Sequence, residues 1–173
     1  MAEQQFRYDG AGFVRRAMRS VASTPVTARF FARSLHRLDE PILRRTGGKR
    51  SLTAWLTGLP IVDLTTTGAR SGLPRRHPIV GVPDGDRLVL IASNYGQEHN
   101  PAWYYNLRAH PLCSISFGGR LQPMRAYEAE GAERQRLWDL DLTIYPTRAR
   151  YAQWASHRQI PVMVLEPVKR GSD

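Results

Sequence analysis

The chain carries one cysteine, Cys113, which excludes an internal disulfide and a cysteine-based zinc site. Cys113 sits in an apolar alternating run and reads as a plain buried thiol. No stretch approaches the roughly 18 apolar residues of a transmembrane helix. The opening MAEQQFRYDGAGFVRR lacks the apolar core of a signal peptide, so a cytoplasmic protein is expected. The histidines His36, His77, His99, His110 and His157 are scattered without metal-ligand spacing, and no metal is expected. No Ser-His-Asp order and no isolated carboxylate pair stands out. Neither a Gly-Lys-Ser/Thr phosphate loop nor GxGxxG is present. A chain so poor in acid, base and nucleophile sets favours chemistry performed by a bound cofactor, with the protein supplying position and electrostatics.

What the chain has is positive charge: 173 residues carry 25 Lys/Arg against 15 Asp/Glu, net +10. Only Lys49 and Lys169 are lysines. The excess is concentrated in residues 1–50, with 11 basic and 4 acidic residues. There Phe13, Val14, Ala17, Met18 and Val21 share one helical face, and Arg15, Arg16 and Arg19 fall mostly on the other. Thr24-Pro25 opens a second helix with Phe31, Leu35 and Leu38, and Asp39 and Pro41 open a short third that Gly47-Gly48 ends. Two domains follow: a basic amphipathic helical extension over 1–50 and a cofactor-binding unit over 51–173. The extension either packs on that unit or makes peripheral contact with the inner face of a membrane.

From residue 60 the period changes to two. Ile61–Thr67, His77–Val82 and Leu88–Ser93 read as strands, with PDGDR (Pro83 to Arg87) as a tight turn. Asn100-Pro101 starts a helix through Ala109. Leu112–Phe117 and Arg120–Glu128 form a hairpin across Gly118-Gly119. Residues 131–142 and 147–157 read as helices and Ile160–Leu165 as a last strand. The fold class is therefore mixed α+β, a small antiparallel barrel of about six strands with inserted helices.

The loop GARSGLPRR, Gly68 to Arg76, holds three arginines beside two glycines and a serine. Backbone N–H groups and guanidinium forks of this kind surround an anion. Downstream, NPAWYYN (Asn100 to Asn106) opens a helix whose free N–H groups suit a cofactor phosphate or carbonyl, with Trp103 and Tyr104 either core or cofactor contacts.

The segments LTTTGARSGLPR, ASNYG, NPAWYYNLRAHP, IYP…YAQW and IPVMVLEP resemble the deazaflavin-dependent nitroreductase family over roughly residues 40–168. Members are actinobacterial oxidoreductases that use coenzyme F420 on a split β-barrel like that of FMN-binding proteins. The resemblance implies a cofactor site of Thr67, Gly68, Arg70, Ser71, Gly72 and Arg75 in the loop, and Pro78 and Ile79 in a strand along the deazaflavin. It adds Ala92, Ser93 and Asn94 at a second strand end, and Ala102, Trp103, Tyr105 and Asn106 at the helix start. Ala69 stands where relatives often have a basic residue. Tyr145 and Tyr151 match substrate-lining tyrosines, whereas Val80 and Arg148 stand where other tyrosines occur. The implied activity is hydride transfer from reduced F420 to an electron-poor acceptor, a quinone-like or nitro compound. Ser93 is the candidate for orienting ring or acceptor, and Tyr145 or Tyr151 either donates a proton or walls the pocket. Expected partners are a small-molecule acceptor and no nucleic acid. An FMN- or haem-binding barrel and a lipid- or nucleic-acid-binding module are the alternatives.

Overall fold

In a computed structural model, the structure describes residues 59–117 and 120–168. The helices expected in residues 1–50 lie outside the described residues. The strands are β1 (Ile61–Thr67), β2 (Pro74–Val80), β3 (Val82–Asp84), β4 (Arg87–Ile91), β5 (Leu112–Phe117), β6 (Arg120–Glu128) and β7 (Val162–Pro167). The helices are α1 (Ala102–Ala109), α2 (Gly131–Ile144) and α3 (Arg148–Trp154). The seven strands form one antiparallel sheet in the order β2-β1-β5-β6-β7-β4-β3, curled into a half-barrel.

The curl has a local cause. The two edge strands, β2 and β3, are consecutive in the chain and meet at Gly81. β2 pairs with β1 and β3 with β4, so the chain changes partner at this bend and links the two edges. A Cβ at Gly81 would lie 2.6 Å from Leu88 Cδ2, so a side chain at this corner would displace the buried Leu88. The sequence reading of one strand over His77–Val82 missed both this bend and the true start of β2. Thr67 pairs with Pro74 and Thr66 with Arg75, so Arg75 and Arg76 are strand residues and not loop residues. Pro74 and Pro78 disguised the strand, and the sheet tolerates their missing N–H groups because β2 is an edge.

Period-two alternation builds two cores, one on each face of the sheet. Leu88 and Leu90 of β4, Met163 and Leu165 of β7, and Val62 and Leu64 of β1 point inward, where Trp103, Tyr104 and Leu107 of α1 plug the curl. Val89, Ile91, Val162 and Val164 point outward against Leu137 and Ile144 of α2 and Ala155 after α3. A strand apolar on both faces needs a cover on each side, which is why β4 and β7 read as continuous apolar runs. The arrangement leaves two places exposed for chemistry: the β1–β2 loop and the segment after β4.

Candidate cofactor and acceptor site

The β1–β2 loop is held from within. Gly68 N–H donates to Leu73 O at 2.9 Å and Gly72 N–H to Gly68 O at 2.8 Å, with Gly72 at a left-handed φ of 65°. Arg75 donates to Ser71 Oγ at 3.3 Å. Asn106 of α1 anchors the loop: its Oδ1 accepts from Ala69 N–H at 2.9 Å and its Nδ2 donates to Thr66 Oγ1 at 3.0 Å. Asn106 therefore spends its amide on shaping the loop. Arg70, Ser71, Gly72 and Arg75 are exposed. Among the described residues, the N–H groups of Arg70 and Ser71 and the guanidinium of Arg70 have no protein acceptor. Arg76 is instead neutralised by Asp63 on the neighbouring strand. The loop and the start of β2 thus present two arginines and two N–H groups, a donor set that fits a phosphate or a carboxylate tail.

The second group lies after β4. Asn94, Tyr95 and Gly96 form a short turn in which all three take left-handed φ values, 46°, 55° and 75°. For Tyr95 that conformation costs about 1–2 kcal/mol, so the surroundings must enforce it. Gly96 N–H donates to Ser93 O at 2.9 Å, Gln97 N–H to Asn94 O at 3.1 Å and Asn94 Nδ2 to His99 O at 2.8 Å. The Tyr95 ring meets Tyr151 edge-on at 5.9 Å. Arg158 closes the segment by donating to the carbonyls of Ser93 at 3.0 Å and Gln97 at 3.1 Å, and to Asn100 Oδ1 at the entry to α1. α1 and Arg158 therefore connect both groups: Asn100 before the first turn accepts from Arg158, which also holds the Ser93 carbonyl, and Asn106 one turn in binds the arginine loop.

Ser93 is 4% exposed. Its Oγ accepts from Arg148 at 3.1 Å, and the same guanidinium grips buried Asp141 with Nε at 2.9 Å and a second nitrogen at 3.0 Å. Its centre lies 4.8 Å from the Tyr145 ring centroid. Burial opposes the Arg148 charge, but Asp141 outweighs it and the guanidinium pKa is raised. Losing one partner of such a buried pair costs about 3–5 kcal/mol. Each nitrogen of the Arg148 guanidinium already has a hydrogen-bond partner inside the protein. The missed residue is Asp141. It had a signal: Leu137, Asp141 and Ile144 share the buried stripe of α2, and a carboxylate there demands a partner.

Tyr145 and Tyr151 do come together, their hydroxyls 3.1 Å apart and their rings edge-on at 6.1 Å. Burial pushes the Tyr151 hydroxyl above its ordinary pKa, and burial does the same at Tyr95. Raised values make these hydroxyls poorer acids, which favours a wall over a proton donor. Trp103 and Ala92 belong to the inner core, and Ile79 packs against it. Val80 and Tyr145 share the outer cluster. Ala102 and Tyr105 are exposed on α1, and Pro78, Asn94 and Thr67 are half-buried. Among the described residues no group of three His, Cys, Asp or Glu side chains gathers to hold a metal, and no helix is long and apolar enough to cross a membrane.

A curled antiparallel sheet with an arginine loop and a strained strand end, linked by one short helix, defines a cofactor-binding half-barrel. The model of the F420H(2)-dependent quinone reductase family matches residues 35–167. An F420H(2)-dependent quinone reductase of Mycobacterium tuberculosis is 33% identical over 137 residues, covering 76% of this chain and 89% of the relative. A solved F420-H2 dependent reductase, FDR-A, is 39% identical with a TM-score of 0.58, covering 62% of this chain and 94% of that one. A solved structure described as a domain-swapped dimer is 34% identical with a TM-score of 0.60, covering 80% of this chain and 99% of that one. The chain belongs to the F420H(2)-dependent quinone reductase family. It is an oxidoreductase, its cofactor is coenzyme F420, and its chemistry is hydride transfer to a quinone-like acceptor.

Proposed function

We propose that Arg70, Arg75 and the N–H groups of Arg70 and Ser71 hold the anionic tail of coenzyme F420, and that Ser93 with the Tyr145–Tyr151 pair bounds the space where ring and acceptor meet. The observation that carries this reading is the anchored loop with Arg70 and Arg75 exposed beside it, joined through α1 and Arg158 to the Ser93 segment. Bound reduced F420 supplies a hydride to an electron-poor acceptor. The protein's part is to fix orientation, exclude water with a buried aromatic wall, and offer the Ser93 hydroxyl to a carbonyl of ring or acceptor. Val80 lines the same side in this reading, and Ala102, Tyr105, Pro78, Ile79, Ala92, Asn94, Thr67, Gly68 and Gly72 shape the cofactor's bed. The half-barrel is read as a split barrel over residues 51–173, with residues 1–50 as a basic extension.

Tryptophan-fluorescence titration tests this assignment. Coenzyme F420 is expected to bind at micromolar concentration or tighter, with FMN much weaker. Arg70→Ala or Arg75→Ala is expected to cost about 1.5–3 kcal/mol of binding, the scale of a charge-assisted hydrogen bond. Salt is expected to weaken the parent more than either variant. Two variants that both bind like the parent would remove the loop from the cofactor site, and stronger binding of FMN would overturn the cofactor assignment to these residues.

A further inference from the structure

We infer that Asp141 and Arg148 are positioning residues that turn the proton of the Ser93 hydroxyl away from themselves and toward the ligand. This rests on the proposed placement of Ser93 beside ring and acceptor.

An arginine side chain has only donors, so its contact with Ser93 Oγ uses the serine oxygen as an acceptor. The serine proton must then point elsewhere. Among the described residues the Ser93 hydroxyl has no acceptor, although the residue is 4% exposed. A buried O–H with no protein partner is available to a ligand or to an ordered water that a ligand displaces. Arg148 can keep that duty because Asp141 grips it through two separate nitrogens, and a bidentate grip fixes the plane of the guanidinium as well as its distance. Asp141 is itself fully buried in the last turn of α2, and Arg148 opens α3, so the pair ties the two helices to the end of β4.

The arrangement also selects the ligand atom. A hydroxyl with one lone pair engaged by a guanidinium is a better donor and a poorer acceptor, so it favours a carbonyl oxygen, an anionic oxygen or an unprotonated ring nitrogen. A quinone-type acceptor and a heterocyclic dione both offer such atoms on a planar rim. A free serine rotor would choose among three staggered positions and would accept from a ligand as readily as it donates. With Arg148 in place the rotor is biased toward donating.

The test separates positioning from mere packing by exchanging the ion pair for an apolar pair. Buried ion pairs replaced by well-packed apolar residues often keep or raise stability, so Asp141→Leu/Arg148→Met is compared with the parent, Ser93→Ala and the triple variant. Melting temperature, coenzyme F420 affinity by fluorescence quenching and steady-state reduction of a simple benzoquinone are measured, with turnover normalised to the folded fraction. Ser93→Ala is expected to lower kcat or kcat/KM about five- to tenfold, the loss of one ordinary hydrogen bond. The apolar pair is expected to show the same loss in the same parameter, and the triple variant no further loss. Parent-like turnover in the apolar pair, with Ser93→Ala impaired, would overturn the positioning role and leave the Ser93 assignment standing. Additive losses in the triple variant would also overturn it, since Arg148 would then act by another route. An unimpaired Ser93→Ala would instead remove Ser93 from the site.

Discussion

Replacing Gly96 by alanine tests whether the strained turn after β4 is clamped by α3. Gly96 has a φ of 75°, and an added Cβ would lie 2.8 Å from Trp154 Cβ, 3.0 Å from Tyr151 O and 3.2 Å from Trp154 Cε3. Two costs add. The left-handed backbone costs a residue with a Cβ about 1–2 kcal/mol. Forcing a methyl against a helix backbone costs about 1–3 kcal/mol more, because neither the Tyr151 carbonyl nor the Trp154 Cβ is the free end of a flexible side chain. Gly85 in the β3–β4 turn supplies the control, since its φ is 66° but nothing lies within 4 Å of an added Cβ. Gly85→Ala should therefore lose only the backbone share, about 1–2 kcal/mol. For a chain of this length each kcal/mol lowers the melting temperature by roughly 2–4 °C. Calorimetry should then show a fall of about 4–20 °C for Gly96→Ala and about 2–8 °C for Gly85→Ala. Cofactor affinity should fall only in Gly96→Ala, because displacing α3 moves Tyr151 and Arg148. Equal falls in the two variants, with cofactor affinity intact in both, would refute the close packing of the turn on α3.

Other expectations follow from the same geometry. Tyr151→Phe should keep the wall and lose only the hydroxyl contact to Tyr145, so steady-state assays should find turnover within about threefold of the parent, whereas a proton-donor role would show a far larger loss. The Arg136 guanidinium hydrogen-bonded to Asp84 lowers its carboxyl pKa from 3.8, outweighing burial, and Arg87 adds to the effect. A depressed folded value means that its stabilisation is present above the unfolded pKa and is lost as pH falls below 3.8 through the folded value, so acid titration of Asp84→Asn should show a shallower loss of stability in that range. Burial pushes the Cys113 thiol up to about 12, so the native protein should resist maleimide at pH 8 and react in full only when unfolded.

Much of the scaffold was legible because its signals are local. β1, the β5–β6 hairpin and α1 follow from alternation, Gly-Gly and Asn-Pro within a few residues of their observed bounds. The β2 start was not legible, because Pro74, Arg75, Arg76 and Pro78 carry loop composition while only the edge position makes them a strand. The bend at Gly81 was equally hidden, since it depends on Leu88 from another strand. At the site, the arginine loop and the tyrosines stood out as residue types. The role of Arg148 did not, because a surface arginine and a buried one look alike until the partner carboxylate is located.

The sequence by itself determined the alternating strands, the exposed arginine loop and, through its ordered motifs, the F420-dependent class of chemistry. These depend on neighbouring residues and on composition, which the chain carries wherever it folds. Only the tertiary structure decided that Asp141, Arg148 and Ser93, drawn from α2, α3 and the end of β4, form one buried network. Those contacts span 55 residues between Arg148 and Ser93. Curling the sheet brings the β4 end under α3, and burial then makes the ion pair obligatory, because a lone charge at that depth would not be tolerated.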